Sequence, residues 1–79
     1  MVKKISLLKI KKNQKAKVAE ISGGAVMENR LMGMGIYGGR EITKLSHFVL
    51  RGPVTIKVGR SIIALGHGMA GKIIVEIND

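Results

Sequence analysis

The chain has 79 residues, which is the size of one domain, and its hydrophobic content of 46% argues against disorder. It contains no cysteine, which excludes disulfide bonds and thiolate metal sites. The formal net charge is +9, which favours an anionic partner. No apolar run approaches the length of a membrane span, so a signal peptide and a membrane anchor are not expected. The cytoplasm is therefore the expected compartment.

The first part of the chain predicts two strands joined by a polar turn. Residues 5–10 indicate a short strand followed by a turn of helix or a loop. Asn13 is the residue in the following connection that best tolerates a left-handed conformation. Lys15–Ile21 alternates polar and small apolar residues, so we expect a strand with Ala16 and Val18 facing the core.

The next segment predicts the one good helix of the chain, over residues 25–34. Met27, Leu31 and Met34 follow the spacing i, i+4 and i+7, which places them on one face and favours a core position. Gly35 is expected to end the helix, and Gly39 to start the next strand. Both glycines are predicted to be structural turn residues with positive φ.

The second half of the sequence predicts four strands separated by glycine. The predicted strands are residues 40–48, Val54–Val58, Ser61–Leu65 and residues 73–77. Gly59 leads a two-residue hairpin turn, and residues 66–71 form a glycine-rich corner with one helical turn. The whole chain is therefore predicted to be a single mostly β domain, a small closed barrel with one helix after the second strand.

Catalytic chemistry has little support in this sequence. The acidic residues are scattered, and no nucleophile motif or carboxylate pair is present, so the chain is not expected to be an enzyme or to carry a cofactor. His47 and His67 form a metal pair only if their two corners meet, and the alternative is two ordinary surface histidines. We therefore predict no metal site and no tight Fe²⁺ binding.

A cluster of lysines precedes the first acidic residue, Glu20. One interpretation is a patch that attracts nucleic acid, anionic lipid or an acidic protein face, and the other is a solvated lysine-rich surface. The two aromatic residues, Tyr37 and Phe48, lie outside the cluster, so specific nucleic-acid recognition is not expected, although weak contact with an anionic membrane surface is. The lysines are Lys3, Lys4, Lys9, Lys11, Lys12, Lys15 and Lys17.

Methionine indicates where a partner would bind. Met32 lies about 100° around the helix from Leu31, which favours exposure, and Met69 lies in the glycine-rich corner. Flexible exposed methionines suit a protein-binding surface, and gap filling in the core is the alternative. The predicted partner-binding residues are Arg30, Leu31, Met32, Met34 and Met69.

A family resemblance adds to this interpretation. Residues 30–39, R-L-M-G-M-G-I-Y-G-G, resemble the signature R-L-x-x-M-G-[IL]-x-x-G of the ferrous iron transport protein A (FeoA) family. The turns at residues 22–24 and 52–54 and the apolar pattern after residue 63 are similar to the family's in order and spacing. The chain departs from the family at Asn13, often glycine, at Gly38, often proline, and at residues 66–69, where the family has charges.

The resemblance implies an SH3-like barrel of five to six strands, similar to the C-terminal domain of iron-dependent repressors. It implies a small cytoplasmic accessory protein of bacterial ferrous-iron uptake, which binds and regulates the cytoplasmic part of the FeoB transporter. The alternatives are a basic nucleic-acid-binding small β-barrel and a metal-sensing domain that uses His47 or His67. The oligomeric state is left open.

Overall fold

The computed structural model describes residues 1–46 and 52–78. In this part of the chain we label the strands β1 to β6 and the helices α1 and α2. The strands are β1 (Val2–Ser6), β2 (Lys15–Ile21), β3 (Glu41–Lys44), β4 (Val54–Val58), β5 (Ser61–Leu65) and β6 (Ile73–Asn78). The helices are α1 (Gly24–Met32) and the single turn α2 (His67–Ala70), and a 3₁₀ turn spans Leu7–Lys9.

All six strands form one antiparallel sheet in the order β1-β6-β2-β3-β4-β5, with α1 inserted after the second strand. The predicted mostly β class and helix position are therefore confirmed. In the described residues β1 and β5 are the two edges of the sheet and do not pair with each other, so the predicted closure by hydrogen bonds is not observed. The predicted bounds of β2, β4 and β5 match the structure. Strand β3 ends at Lys44, earlier than predicted, and the rest of that prediction, residues 47 and 48, lies outside the described residues.

The core lies on one face of the sheet and is almost entirely aliphatic. Leu31 from α1 and Ile36 from the turn after it close one side, and both have no exposed surface. The sheet supplies the alternate residues that the period-two pattern predicts. These buried sheet residues are Ala16, Val18, Ile42, Val54, Ile56, Val58, Leu65, Ile73 and Val75.

Helix α1 ends in a Schellman motif, in which a left-handed residue reverses the chain. The Ile36 N–H donates to the Leu31 carbonyl, and the Gly35 N–H donates to the Met32 carbonyl, both at 2.9 Å. Gly35 has φ +85°, as predicted. The helix leaves its regular path after Met32, so Met34 departs from the buried stripe and is 37% exposed, and its predicted core position is wrong.

A β-bulge interrupts β2 and changes which side of the strand faces the core. Val18 pairs with Val75, but the next partner of Ile74 is Glu20, so Ala19 is the extra residue. Without a bulge, Glu20 would share the inward face of Ala16 and Val18. The bulge turns the Glu20 carboxylate to the surface and directs Ile21 against the core instead.

Lys44 is the one charged residue among the described residues that is fully buried. It lies two positions after Ile42 in β3, so both side chains point inward. Its Nζ donates hydrogen bonds to the carbonyls of Leu8 at 3.0 Å and Ile10 at 2.8 Å. Lys44 therefore ties the end of the 3₁₀ turn to the sheet, which the sequence analysis did not anticipate.

No helix in the described part of the chain is both long enough and apolar enough to cross a membrane.

Candidate partner-binding surface

A cleft of about 260 Å³ lies between helix α1 and the bulged end of β2. Strand β2 lines it with Ala19, Glu20 and Ile21, and α1 lines it with Glu28 and Met32. The turn after the helix contributes Ile36, Tyr37 and Gly38. We call these eight residues the Met32 cleft.

The middle of the Met32 cleft is apolar and accessible. The Met32 side chain is 57% exposed and the Tyr37 side chain 39%, whereas Ile36 is fully buried beneath them. An unbranched thioether adapts its shape to an apolar group at small cost. The cleft is therefore suited to receive an apolar side chain from another molecule.

Two carboxylates stand at the edge of the Met32 cleft. Glu28 lies one helical turn before Met32, at the spacing i, i+4, which places both on the same face of α1. Glu20 lies opposite on β2, where the bulge has turned it outward. In a chain of net charge +9, this edge carries two of the five acidic residues.

The turn over residues 37–40 is fixed firmly beside the cleft. The Arg40 N–H donates to the Tyr37 carbonyl at 3.0 Å, which closes a β-turn, and Gly39 at its third position has φ +90°, as predicted. A positive φ at this position is the requirement of a type II turn. The Val18 N–H donates to the Arg40 carbonyl, and the Gly39 N–H donates to the Val18 carbonyl, both at 2.8 Å. These two hydrogen bonds join the turn to β2.

The predicted partner-binding residues do not gather in one place. Met32 lines the cleft. Leu31 is fully buried in the core, so the prediction that it contacts a partner at the surface is wrong. Arg30 and Met34 are exposed but are not part of the cleft lining. Met69 is half-buried on α2 and packs against the core.

Of the eight residues of the Met32 cleft, sequence reasoning predicted Met32 alone, and two of the seven residues that it missed carried a signal in the sequence. Glu28 shares the helical face of Met32, and Tyr37 is an aromatic residue placed directly after the predicted helix stop. Glu20 carried no such signal, because only the bulge at Ala19 brings it to the surface.

The seven lysines before Glu20 are all exposed but do not form one continuous patch. Lys3 and Lys4 lie on β1, and Lys15 and Lys17 on β2. The remaining three, Lys9, Lys11 and Lys12, lie in and after the 3₁₀ turn. The charge is therefore spread over separate elements of the barrel.

The histidines do not define a metal centre in the described residues. His67 lies half-buried on α2, and His47 lies outside the described part of the chain. Across residues 1–46 and 52–78, no group of three His, Asp or Glu side chains comes together as metal ligands.

The comparison with known families identifies the family of the chain. A family model of the FeoA domain matches residues 5–77. The chain belongs to the FeoA family. The resemblance seen in residues 30–39 is thereby confirmed, and the match includes every residue of the Met32 cleft and all of the strands except the start of β1 and the last residue of β6.

Solved structures agree with FeoA membership. The crystal structure of an iron uptake regulatory protein, FeoA, is 30% identical, covers 95% of this chain and 99% of that chain, and has a TM-score of 0.82. The solution structure of a FeoA-like protein from Clostridium acetobutylicum is 27% identical, with coverages of 95% and 87% and a TM-score of 0.80. A comparison with curated proteins gives no match.

The barrel also occurs as part of larger proteins. A manganese-dependent transcriptional repressor is 20% identical, with 95% of this chain and 42% of that chain covered and a TM-score of 0.84. At this identity the similarity concerns the fold alone, and it confirms the SH3-like architecture. FeoA membership itself implies a role in ferrous iron uptake.

Proposed function

We propose that this FeoA protein is a cytoplasmic accessory protein that binds the cytoplasmic part of the FeoB transporter and regulates it, with no catalysis of its own. Family membership supports the role in ferrous iron uptake. The Met32 cleft is the observation that carries the choice of a protein partner, because it offers an accessible apolar pocket on a small basic barrel.

The Met32 cleft has the properties of an interaction hot spot. A few anchoring side chains in well-packed pockets contribute most of the binding free energy at protein interfaces. Met32, Tyr37 and Ile21 present the apolar surface of the cleft, and the Schellman motif fixes the buried Ile36 beneath it to the end of α1. The pocket therefore exists before the partner arrives, which lowers the entropic cost of binding.

The test compares two exposed methionines that lie two residues apart. The intact transporter, held in phosphatidylcholine nanodiscs, is immobilised, and binding of the wild-type chain, Met32→Asp and Met34→Asp is measured by surface plasmon resonance. We expect Met32→Asp to weaken binding at least about 30-fold, the loss typical of a hot spot. Met34→Asp, outside the cleft, should change the Kd less than about threefold.

Circular dichroism and thermal melting of both variants control for the fold. Absence of wild-type binding would contradict the proposed function. Equal binding by the wild-type chain and Met32→Asp would contradict the proposed site.

A further inference from the structure

A second depression, of about 500 Å³, lies on the outer face of β3 and β4 and carries positive charge. Lys15, Arg40 and Lys57 contribute three cations to its lining, and Glu41 contributes one carboxylate. We call this depression the Arg40 groove. It adjoins the Met32 cleft, because Tyr37 lines both of them.

The strand register explains why the Arg40 groove is basic. Lys15 and Lys57 are the Cα partners of Thr43, one on each side, so the three residues form a row across β2, β3 and β4. The row continues to Ile62 on β5. It therefore contains two lysines and no carboxylate from Lys15 to Ile62.

The neighbouring row is neutralised by its own residues. Lys17 lies opposite Glu41 on one side and Glu76 on the other, and Glu76 also lies opposite Lys4. Opposite charges in directly facing positions of a sheet attract each other. Glu41 therefore faces a lysine on β2, and the lining of the groove as a whole carries three cations against one carboxylate.

Arg40 is held in place at the end of the groove. Its Nη1 donates to the Tyr37 hydroxyl at 3.1 Å, and its guanidinium carbon lies 5.7 Å from the centre of the Tyr37 ring. Gly59 leaves the space for this arrangement, because a Cβ there would lie 2.5 Å from Arg40 Nη2. A guanidinium fixed in this way is prepared to bind a carboxylate with little further ordering.

Together the two sites give the surface an ordered charge pattern. Glu20 and Glu28 flank the Met32 cleft, and the Arg40 groove begins beyond Tyr37. A long polyanion crossing this surface would meet both carboxylates. Within the described part of the chain Tyr37 is the one aromatic side chain, whereas proteins that bind single strands stack successive bases on several aromatic side chains.

We propose that the Arg40 groove binds an acidic stretch of the same partner segment that places an apolar side chain in the Met32 cleft. This inference rests on the proposed function. Charge complementarity then orients the segment, with its acidic residues at Arg40 and any basic residue toward Glu20 and Glu28. The occupant is a protein segment with separated charges, and not a nucleic acid or a lipid.

The test removes two positive charges either inside or outside the groove. The groove variant is Lys15→Gln with Lys57→Gln, and the matched control is Lys9→Gln with Lys12→Gln. Both are measured against the intact transporter in phosphatidylcholine nanodiscs, which exclude an anionic lipid surface. We expect the groove variant to raise the Kd about tenfold through a faster off-rate, and the control to slow only the on-rate, by less than about threefold.

Arg40→Lys separates geometry from charge. Lysine keeps the positive charge but loses the planar fork and the stacking on Tyr37, so we expect a weakening of about threefold or more although the net charge is unchanged. Wild-type affinity for Arg40→Lys would contradict the role assigned to the fixed guanidinium.

The remaining outcomes distinguish this inference from the proposed function. If the wild-type chain binds, Met32→Asp does not, and the groove variant binds normally, the inference is wrong and the proposed function stands. Equal losses in the groove variant and the control would also overturn it. If the groove variant loses binding only to single-stranded RNA or phosphatidylserine vesicles, the occupant is a polyanion and the inference fails.

Discussion

Lys44 places an ammonium group inside the barrel, where the carbonyls of Leu8 and Ile10 accept its hydrogen bonds. These carbonyls belong to the 3₁₀ turn and the residue that ends it, which carry the negative end of the local peptide dipoles. Burial from water disfavours the charged form and lowers the pKa of Lys44 from its usual value of 10.5. Burial of Lys44 therefore costs desolvation free energy, and its two hydrogen bonds attach the 3₁₀ turn to the sheet.

The lowered pKa of Lys44 predicts a pH dependence of stability. At pH values below the folded-state pKa, the group is protonated in both states, and the folded state bears the desolvation cost. Between that pKa and 10.5, the unfolded chain binds more protons than the folded chain, so stability rises with pH. The stability of the wild-type chain relative to Lys44→Met should therefore increase from neutral pH toward pH 10.5.

Urea denaturation of both chains at a series of pH values measures this difference, because the other titrating groups are common to both. Parallel pH profiles for the two chains would show that the Lys44 pKa is the same in the folded and unfolded states.

Single residues were predictable from sequence where one local rule decides their conformation. Asn13 has φ 66° and Gly59 has φ 61°, as the turn chemistry of each position predicts. Lys44 could have been found from its spacing to Ile42, but a lysine on an inward face is rare without specific partners. Those partners, Leu8 and Ile10, lie more than 30 residues away in the chain and become neighbours only in the folded barrel.

At the scale of elements, the end of α1 positions the Met32 cleft, and Gly35 is the residue on which this end depends. Gly35→Ala places a Cβ at φ +85°, where the nearest atom, Val58 Cγ1, is 3.6 Å away. The cost is therefore backbone strain and not a clash, about 1–2 kcal/mol. We expect the Tm to fall by about 4–8 °C for each kcal/mol.

Gly68→Ala is the matched control for this prediction. Gly68 lies within α2, has no positive φ, and a Cβ there would meet no atom within 4 Å. Alanine is favoured over glycine inside a helix, so the Tm should stay the same or rise. A drop in Tm of equal size in both variants would contradict the left-handed assignment of Gly35.

Elements were predicted well where periodicity is regular and poorly where it breaks. Strands β4 and β5 have their predicted bounds because their alternation follows the pleat. Strand β2 also has its predicted bounds, but its alternation is regular only as far as Val18. The bulge at Ala19 could not be predicted, because it depends on how β2 pairs with β6. That pairing places Ile21 against the core and leaves Glu20 at the surface. The cleft depends on this bulge, so the candidate site was only partly predictable from Met32.

At the scale of the whole molecule, the chain has a strong positive charge but no assembled metal ligands in its described part. Fe²⁺ needs converging carboxylates or imidazoles for tight binding. We therefore predict a Kd for Fe²⁺ no tighter than about millimolar. Anaerobic titration calorimetry measures this, and stoichiometric micromolar binding would contradict it and direct attention to His67 and His47.

The general excess of charge and the local arrangement of charge have different consequences. Exposed lysines spread over the barrel accelerate encounter with an acidic partner and are screened by salt. The Met32 cleft and the Arg40 groove lie side by side and define where the partner rests. Composition predicted the first effect, but the second depends on cross-strand register and on the turn at Gly39, which only the fold reveals.

The central claim is that the partner binds across the Met32 cleft, and amide chemical-shift mapping tests it most directly. The ¹⁵N-labelled chain, of 8.5 kDa, is titrated with the transporter's purified cytoplasmic part. The account predicts that the perturbed amides cluster at residues 19–21, 28–32 and 36–40. Perturbations confined to residues 9–12 or to strand β5, with the cleft amides unchanged, would contradict it.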